Sequence, residues 1–160
     1  MAKRTIKKRR LENKTDYRLR MNLLKSGIPR IVIRRTNRYF IVQAVESSEA
    51  QDKVIMGVTS KDLIENGWNV KNAGSLKSIP AGYLTGLLLA KKLKKGKYII
   101  DLGMARTLSG SRIFAVVQGL IDGGLDIPAD KKAFPSEDRI HGEHLKDDVS
   151  KMIKGVKSKE

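Results

Sequence analysis

The sequence predicts an α/β fold in which helices cover one face of a mixed sheet, built from a three-strand antiparallel meander plus a fourth strand. Three observations support this prediction. Three β-rich segments follow one another between residues 30 and 59, two segments with helical periodicity cover residues 80–95 and 111–122, and a short β-rich segment lies between these two. This order is typical of helices that pack on one side of a sheet. The other face of the sheet should remain available.

The first half of the chain provides one helix and the meander. Thr15-Asp16 offers an N-cap for a short basic helix, which ends at Ser26-Gly27-Ile28-Pro29. Residues 30–35 and 39–45 are rich in β-branched and aromatic side chains and are separated by a tight turn, so they should pair as a hairpin. Residues 53–59 follow a polar turn and supply the third strand.

The second half begins with the strongest helical pattern in the chain. Pro80 opens this helix, Leu84, Leu87 and Leu88 lie on one of its faces, and Gly96 stands at the expected C-cap. The lysines at 91, 92, 94 and 95 suit the negative end of the helix dipole.

The remaining elements complete the α/β core. Residues 98–102 are the fourth strand, and residues 111–122 form a second amphipathic helix. A further helical piece is expected near residues 143–153. We divide the chain into a basic tail (1–14), for which the charge distribution described below predicts RNA binding, an α/β core domain (15–125) and an irregular extension with a short helix (126–160).

The composition allows one ordinary domain and points to a polyanionic partner. The 160 residues include 33 Lys plus Arg and 17 Asp plus Glu, a formal net charge of +16, and 40% are hydrophobic. This apolar fraction supplies one core and excludes wholesale disorder. The absence of cysteine excludes a disulfide scaffold, a Cys-ligated metal site and a cysteine nucleophile, and it fits a reducing, cytoplasmic location. No apolar stretch is long enough to span a membrane, and the N-terminus lacks the apolar segment of a secretory signal.

The positive charge is concentrated near the N-terminus. Residues 1–40 carry 14 basic and 2 acidic side chains, so three quarters of the net charge lies in the first quarter of the chain. Such an excess is either a solvated tail or an arm that follows a phosphate backbone. We favour the arm, because acids are not interspersed and the later cations are arginines, which bind phosphate in bidentate fashion. Residues 1–15 offer little apolar surface to a membrane.

The sequence contains no convincing active site. It has neither a Gly-x-Gly-x-x-Gly nor a Gly-x-x-x-x-Gly-Lys-Ser/Thr loop. His141 and His144 lack the spacing of a zinc site, and Asp101 and Asp122 lack a third acid for a two-metal nuclease. We therefore predict no catalytic residue, no metal and no cofactor. An RNA-processing hydrolase that uses Asp101, Asp122 or His141 is the enzymatic alternative.

Two segments are candidates for contact with RNA. Next to the predicted hairpin turn, guanidinium groups can take phosphates while Tyr39 stacks on an unpaired base or ribose, although Tyr39 can equally be an ordinary sheet aromatic. The segment Ser109-Gly110-Ser111-Arg112 precedes a helix N-terminus, where backbone N–H groups and Arg112 can hold one phosphate. The alternative is that Ser109 or Ser111 is an N-cap. Aromatic residues are only 5% of the chain, which favours shape and phosphate recognition of folded RNA over base stacking.

Several blocks of the sequence carry a family resemblance. They are residues 13–20, 23–30, 34–37, 80–88, 110–115, 119–125 and 134–144. Together, and in this order, they resemble the archaeal and eukaryotic type of large-subunit ribosomal protein L-eighteen. The last block is similar to an extension that the shorter bacterial relatives lack, and the modest length favours an archaeal origin. One departure is Gly82, where the family usually has a better helix former.

The resemblance implies a structural component of the large ribosomal subunit. Such a protein binds 5S ribosomal RNA and helps to attach it to the large-subunit ribosomal RNA in the central protuberance, beside neighbouring ribosomal proteins. No membrane or small-molecule substrate is implied. A basic RNA-binding module that acts on a small structured RNA outside the ribosome is the alternative. The residues that we expect to contact RNA are Arg4, Lys7, Lys8, Arg9, Arg10, Lys14, Arg18, Arg20, Arg30, Arg34, Arg35, Asn37, Arg38, Tyr39, Ser111 and Arg112.

Overall fold

The computed structural model describes residues 5–49, 51–145 and 155 of the chain. Their helices are α1 (Lys8–Leu11), α2 (Tyr17–Lys25), α3 (Ile79–Lys92), α4 (Arg112–Asp122) and α5 (Glu137–His141), and their strands are β1 (Arg30–Arg35), β2 (Phe40–Ser48), β3 (Gln51–Thr59) and β4 (Ile99–Asp101). Two 3₁₀ segments, Val70–Ser75 and Lys131–Ala133, complete the regular structure. Within the described residues, no helix is both long and apolar enough to cross a membrane.

The four strands form one mixed sheet in the order β3-β2-β1-β4. The pairs β1–β2 and β2–β3 are antiparallel, which confirms the predicted meander. Strand β4 joins β1 in parallel, with Arg30 opposite Ile99 and Val32 opposite Asp101. Because parallel neighbours end at the same edge of a sheet, the residues that follow β1 and β4 lie close together.

The predicted α/β class is confirmed, with α3 and α4 on one face of the sheet. Ile31 and Ile33 of β1 are fully buried in the same core as Phe40, Val42 and Val58 of the neighbouring strands. The intervening residues of β1 point to the opposite face, because successive strand side chains alternate between faces. Complete burial of these apolar side chains is worth roughly 1.5–3 kcal/mol each and anchors the helices to the sheet.

Small residues at four-residue spacing allow α3 and α4 to approach closely. A Cβ atom built on any of these glycines would meet backbone or side-chain atoms of the facing helix. The pairs are Gly82 with Arg112, Gly86 with Val116, Gly119 with Tyr83, and Gly123 with Ala90. The contacts advance along both helices together, so α3 and α4 run parallel. Glycine at position 82 therefore serves helix packing, since its Cβ would lie 3.0 Å from the Arg112 carbonyl oxygen.

Helix α3 differs from the sequence expectation in two respects. All residues from Pro80 to Ala90 are buried, because the helix lies between the sheet on one side and α4 and α5 on others, so its leucines do not define a single buried face. The helix also ends before Gly96. Leu93 is the C-cap and has an extended backbone, and its N–H still donates to the carbonyl oxygens of Leu89 and Ala90.

The two ends of the chain contain short helices at positions that the sequence reasoning did not identify. Helix α1 lies inside the predicted basic tail. Helix α5 precedes the expected helix at 143–153, begins with two acidic residues that favour its positive N-terminus, and ends at Gly142 with a φ of 72°. Residues 143–145 form no regular helix, and most of the expected segment lies outside the described residues. The three proposed domain bounds remain predictions.

Candidate nucleic-acid interface

The face of the sheet opposite α3 and α4 carries a network of arginines and aspartates. Arg30 is 2% exposed, and its Nη2 donates to Asp52 Oδ1 (2.7 Å) and Ser47 Oγ (2.9 Å). Its Nη1 lies 3.4 Å from Asp101 Oδ2. The guanidinium group is therefore occupied inside the protein. The expectation that Arg30 contacts RNA does not agree with this burial, because phosphate cannot reach a side chain that already neutralises two carboxylates.

Arg34 is fixed in place on the same face, but it remains partly exposed. Its Nη1 donates to the carbonyl oxygens of Asp101 (2.7 Å) and Ile33 (3.0 Å), and its Nη2 donates to Asp101 Oδ1 (2.9 Å). The backbone N–H of Gly103 also donates to Oδ1 (2.8 Å). Gly103 has a φ of 61°, and a Cβ there would lie 2.9 Å from the Arg34 guanidinium carbon. Asp101 and Gly103 thus hold Arg34 in one orientation, with 43% of its side chain still exposed.

Next to Arg34, a groove of about 580 Å³ opens between the end of the sheet and the start of α4. We call it the cationic groove. Its charged lining is entirely basic, and it consists of Lys14, Arg34, Arg35, Arg106 and Arg112. Arginine side chains form bidentate hydrogen bonds with phosphate, and several of them around one concave surface favour a polyanion.

The N-terminus of α4 forms one wall of the cationic groove. Ser111 is the N-cap residue by position, but its side chain makes no capping hydrogen bond. Its Oγ is buried and has no hydrogen-bond partner among the described residues. The ordinary capping function considered for Ser111 is therefore absent here. The positive end of the helix dipole at this wall favours an anion in the groove.

The predicted contact residues near the N-terminus lie mostly on the surface. Lys7, Lys8, Arg9, Arg10 and Arg18 are exposed, as are most residues of α1 and α2. Some of them already have partners. Lys7 Nζ lies 4.5 Å from the centre of the Tyr17 ring. Arg9 Nε donates to Thr15 Oγ1 (2.9 Å), and Lys14 Nζ lies 2.8 Å from Glu12 Oε2. Arg4 lies outside the described residues.

Helix α2 is held against the open face of the sheet. Asp16 caps it, with Oδ1 accepting from the backbone N–H groups of Arg18 and Leu19. Arg20 Nη2 donates to Asp52 Oδ2 (2.9 Å), and Leu19 and Leu23 line a small cleft beside Arg34 and Asp101. The sheet face opposite α3 and α4 was expected to remain available. Helix α2 in fact covers part of it near β1 and β4. Arg20 is only partly exposed as a result.

The hairpin turn between β1 and β2 presents the remaining predicted residues. Thr36 Oγ1 donates to the Tyr39 carbonyl oxygen (2.8 Å) and accepts from the Tyr39 backbone N–H (3.0 Å), which closes the turn. Asn37 and Arg38 are exposed at its tip. Lys61 Nζ lies 4.6 Å from the centre of the half-buried Tyr39 ring, so one face of that ring is already covered. This arrangement resembles an ordinary sheet tyrosine more than a free stacking surface.

The structure therefore brings Lys14, Arg34, Arg35, Ser111 and Arg112 to one groove, although they are up to 98 residues apart in the chain. Sequence reasoning missed Arg106. The signal was present in its position a few residues after β4, but it depends on knowing that β4 pairs in parallel with β1. Because of that pairing, Arg106 lies at the same edge of the sheet as Arg35, the last residue of β1.

Two of the three candidate catalytic residues, Asp101 and Asp122, are occupied by contacts that stabilise the fold. Asp101 accepts hydrogen bonds from Arg30, Arg34 and Gly103, and Asp122 accepts from the Tyr83 hydroxyl (2.9 Å). Among the described residues, no group of three His, Asp or Glu side chains is placed to hold a metal ion. Asp101 and Asp122 therefore have structural roles in this fold.

Acid should weaken the contact between α2, β1 and β3 at Asp52. Burial by itself raises the pKa of Asp52, but hydrogen bonds from Ser47 and Arg20 and the charges of Arg30 and Arg20 together lower the pKa below its ordinary value of 3.8. A carboxylate with a lowered folded-state pKa stabilises the fold above its unfolded pKa, and this contribution is lost as the pH falls through the folded pKa. We expect the wild type to be more stable than Asp52→Asn at pH 6 and the difference to shrink below pH 3.8. Urea unfolding at several pH values measures the difference in free energy of unfolding between the two proteins. A difference that stays the same at the lowest pH would contradict a lowered pKa of Asp52 in the folded state.

Comparisons with known proteins show which family the chain resembles. The family described as "Ribosomal large subunit proteins 60S L5, and 50S L18" matches residues 3–98 and 94–130. Large ribosomal subunit protein uL18 of Korarchaeum cryptofilum is 43% identical over 148 residues, which cover 91% of this chain and 74% of that protein. The uL18 protein of Methanoregula boonei is 43% identical over 141 residues (86% of this chain, 79% of that protein), and that of Caldivirga maquilingensis is 41% identical over 142 residues (86% and 67%).

These relatives are named as ribosomal proteins and not as enzymes, which confirms the non-enzymatic prediction. They come from archaea, the origin that the sequence analysis favoured. The family match extends from the basic N-terminal segment through β1, β4 and α4, so it includes every part of the cationic groove. On this evidence the chain belongs to the uL18 family of large ribosomal subunit proteins.

Proposed function

We propose that this member of the uL18 family binds 5S ribosomal RNA and helps to attach it to the large-subunit ribosomal RNA. The observation that carries the proposal is the cationic groove, in which five basic side chains and the N-terminus of α4 surround one concave surface without an acidic residue in its lining. The groove is built on the ends of two sheet strands and a helix, and Asp101 and Gly103 hold one of its cations, Arg34, in a fixed orientation.

The groove favours recognition of the RNA backbone over recognition of bases. Its described lining contains no Tyr, Trp or Phe, and the nearby Tyr39 ring is covered on one side by Lys61. Phosphate contacts fix the position and orientation of a protein on nucleic acid, whereas sequence is read at the bases. Structured RNA is commonly recognised through its shape and backbone. We therefore expect affinity to depend on the folded RNA and on its phosphates.

Exposed groove arginines provide the sharpest test. Arg35, Arg106 and Arg112 are exposed and lack ion-pair partners among the described residues. We expect the triple variant Arg35→Gln, Arg106→Gln, Arg112→Gln to bind 5S ribosomal RNA about thirtyfold more weakly, or about 2 kcal/mol, because charge-assisted contacts to phosphate are lost. Filter binding or gel retardation with transcribed 5S RNA measures the change.

A control variant with the same loss of charge distinguishes the loss of contacts in the cationic groove from a general loss of positive charge. Lys71, Lys131 and Arg139 are exposed and lie outside the groove lining. Their triple substitution by Gln should leave the affinity within about threefold of the wild type. Equal weakening by both variants would mean that the groove is not the binding site. Arg34 is left intact in this design, because its removal would also free the buried carboxylate of Asp101.

Salt dependence checks the same proposal independently. If the chain neutralises about 6–8 phosphates, log K should fall by roughly 4–7 per tenfold increase in salt. The triple groove variant should show a slope smaller by about 2–3, since each lost phosphate contact removes about 0.7–0.9. Titrations between low and moderate salt measure both slopes. A wild-type affinity that hardly changes with salt would argue against backbone recognition.

A further inference from the structure

A second basic surface lies outside the cationic groove and outside the residues expected to contact RNA. Five lysines, Lys91, Lys92, Lys94, Lys95 and Lys97, are exposed within seven residues at the end of α3, and the segment contains no acidic residue. We call this segment the lysine turn. Among the described residues, no carboxylate lies within 4.0 Å of their ammonium groups. The net charge of +5 in this short segment is therefore not neutralised locally.

The backbone of the lysine turn is held in a defined conformation. Tyr98 is buried, its hydroxyl donates to the Lys94 carbonyl oxygen (3.1 Å), and its backbone N–H donates to the Asp126 carbonyl oxygen (3.0 Å). The N–H of Asp126 in turn donates to the Gly96 carbonyl oxygen (3.1 Å). These bonds tie the turn to the segment that follows α4. The lysines are thus presented on a fixed support, which lowers the entropy lost when they bind a partner.

The lysine turn and the cationic groove lie at opposite ends of the helical layer. The groove contains Arg112, which contacts Gly82 near the start of α3, whereas the lysine turn follows the end of α3. Helix α3 has 14 residues and is therefore about 21 Å long. This separation exceeds two Debye lengths at physiological salt, about 8 Å each, so the two surfaces act on charges separately.

The chemistry of the lysine turn favours the phosphate backbone of RNA over a membrane or a protein. Leu93, which is half-buried, is its only large apolar side chain, and the Tyr98 that follows is buried, so the lysine turn offers nothing to insert into lipid. Protein interfaces are depleted in lysine, whereas lysine is a regular contact of nucleic-acid phosphates. The dipole of α3 accounts for two or three of these cations at its last turn, but not for all five.

We infer that the lysine turn is a second RNA-binding surface, which takes a different RNA segment from the one in the cationic groove. The inference rests on the proposed function, because it assigns 5S ribosomal RNA to the groove. A chain with two separate cationic ends holds two RNA segments at once, so the lysine turn faces a second strand or duplex when the groove is occupied.

The test compares two variants that lose the same charge. The lysine-turn variant carries Lys91→Gln, Lys92→Gln, Lys94→Gln and Lys95→Gln, and the control carries Lys→Gln at the exposed positions 53, 71, 131 and 132. Each full-length chain is saturated with labelled 5S ribosomal RNA, and the capture of a second, differently labelled 20-base-pair RNA duplex is then measured. Circular dichroism verifies that both variants are folded.

We expect the lysine-turn variant to bind 5S ribosomal RNA within about twofold of the wild type and to capture the second duplex at least tenfold more weakly. The control should retain both activities. Capture of the duplex at wild-type strength by the lysine-turn variant overturns the inference. So does a loss of 5S RNA affinity as large as that of the groove variant, since the two surfaces would then bind one RNA. If the wild type fails to bind 5S RNA, the proposed function fails, and duplex affinities of the free chains still decide the role of the lysine turn.

Discussion

Gly86→Ala should lower the free energy of unfolding by about 3 kcal/mol, although alanine is the better helix former by about 1 kcal/mol. The methyl group would overlap the carbonyl oxygen of Val116 and would lie 3.1 Å from the backbone N of Leu120. Backbone atoms of a packed helix cannot rotate away as a side chain can. Helices α3 and α4 would have to separate, and the core between them would loosen.

Urea unfolding followed by circular dichroism measures this effect, and the transition temperature should fall by about 6–12 °C. Two glycines provide graded controls. At Gly82 a Cβ would lie 3.0–3.3 Å from its neighbours, two of which are side-chain atoms that can move, so Gly82→Ala should cost less. At Gly74 a Cβ would meet nothing within 4 Å, and alanine there should be tolerated. Equal stability of the Gly86 and Gly74 variants would show that the helices do not pack in this way.

Asp101→Asn should also destabilise the chain by about 3 kcal/mol, because removal of one partner from a buried ion pair leaves the other charge without compensation. Asp101 receives hydrogen bonds from two arginines and from the Gly103 backbone. An asparagine retains one acceptor oxygen, but its amide group would bring a donor toward the guanidinium groups. The buried Arg30 would then depend on Asp52 alone.

Asp122→Asn is the matched control for the Asp101 substitution. Asp122 accepts one hydrogen bond from the Tyr83 hydroxyl, and an asparagine oxygen can accept the same bond. Its stability should therefore remain within about 1 kcal/mol of the wild type in chemical denaturation. A fully stable Asp101→Asn variant would show that the Arg30–Asp101–Arg34 cluster does not hold β1 to β4. RNA binding by the Asp101 variant should also weaken, since Arg34 loses the group that orients it.

Elements with strong local signals were predicted well from the sequence. The strand Arg30–Arg35 and the helix that Asp16 caps were identified at their observed positions, because β-branched runs and N-cap residues act within a few residues. The C-terminal end of α3 was less well predicted, whereas its start near Pro80 was identified. The C-terminus of that helix depends on how Tyr98 and Asp126 fix the following turn, and those contacts come from a distant part of the chain.

The residues of the candidate site were also only partly predictable from the sequence. Arg35, Ser111 and Arg112 were identified from charge and from their position before a helix, and the structure places them in one groove. Arg30 and Arg35 looked equivalent in the sequence, yet Arg30 is itself buried and neutralises Asp52 and Asp101, while Arg35 is exposed. Arg106 was not identified at all. A list of cations cannot reveal which of them have carboxylate partners.

The sequence by itself determined the order of the core elements from α2 to α4, the α/β class and the polyanionic character of the partner, because periodicity and net charge are properties of the chain before it folds. Only the tertiary structure decided which arginines face solvent, why glycines occupy the α3–α4 contact, and that two basic surfaces lie at opposite ends of the helical layer. These features depend on the parallel pairing of β1 with β4 and on the close approach of two helices, and both bring together residues that are far apart in the chain.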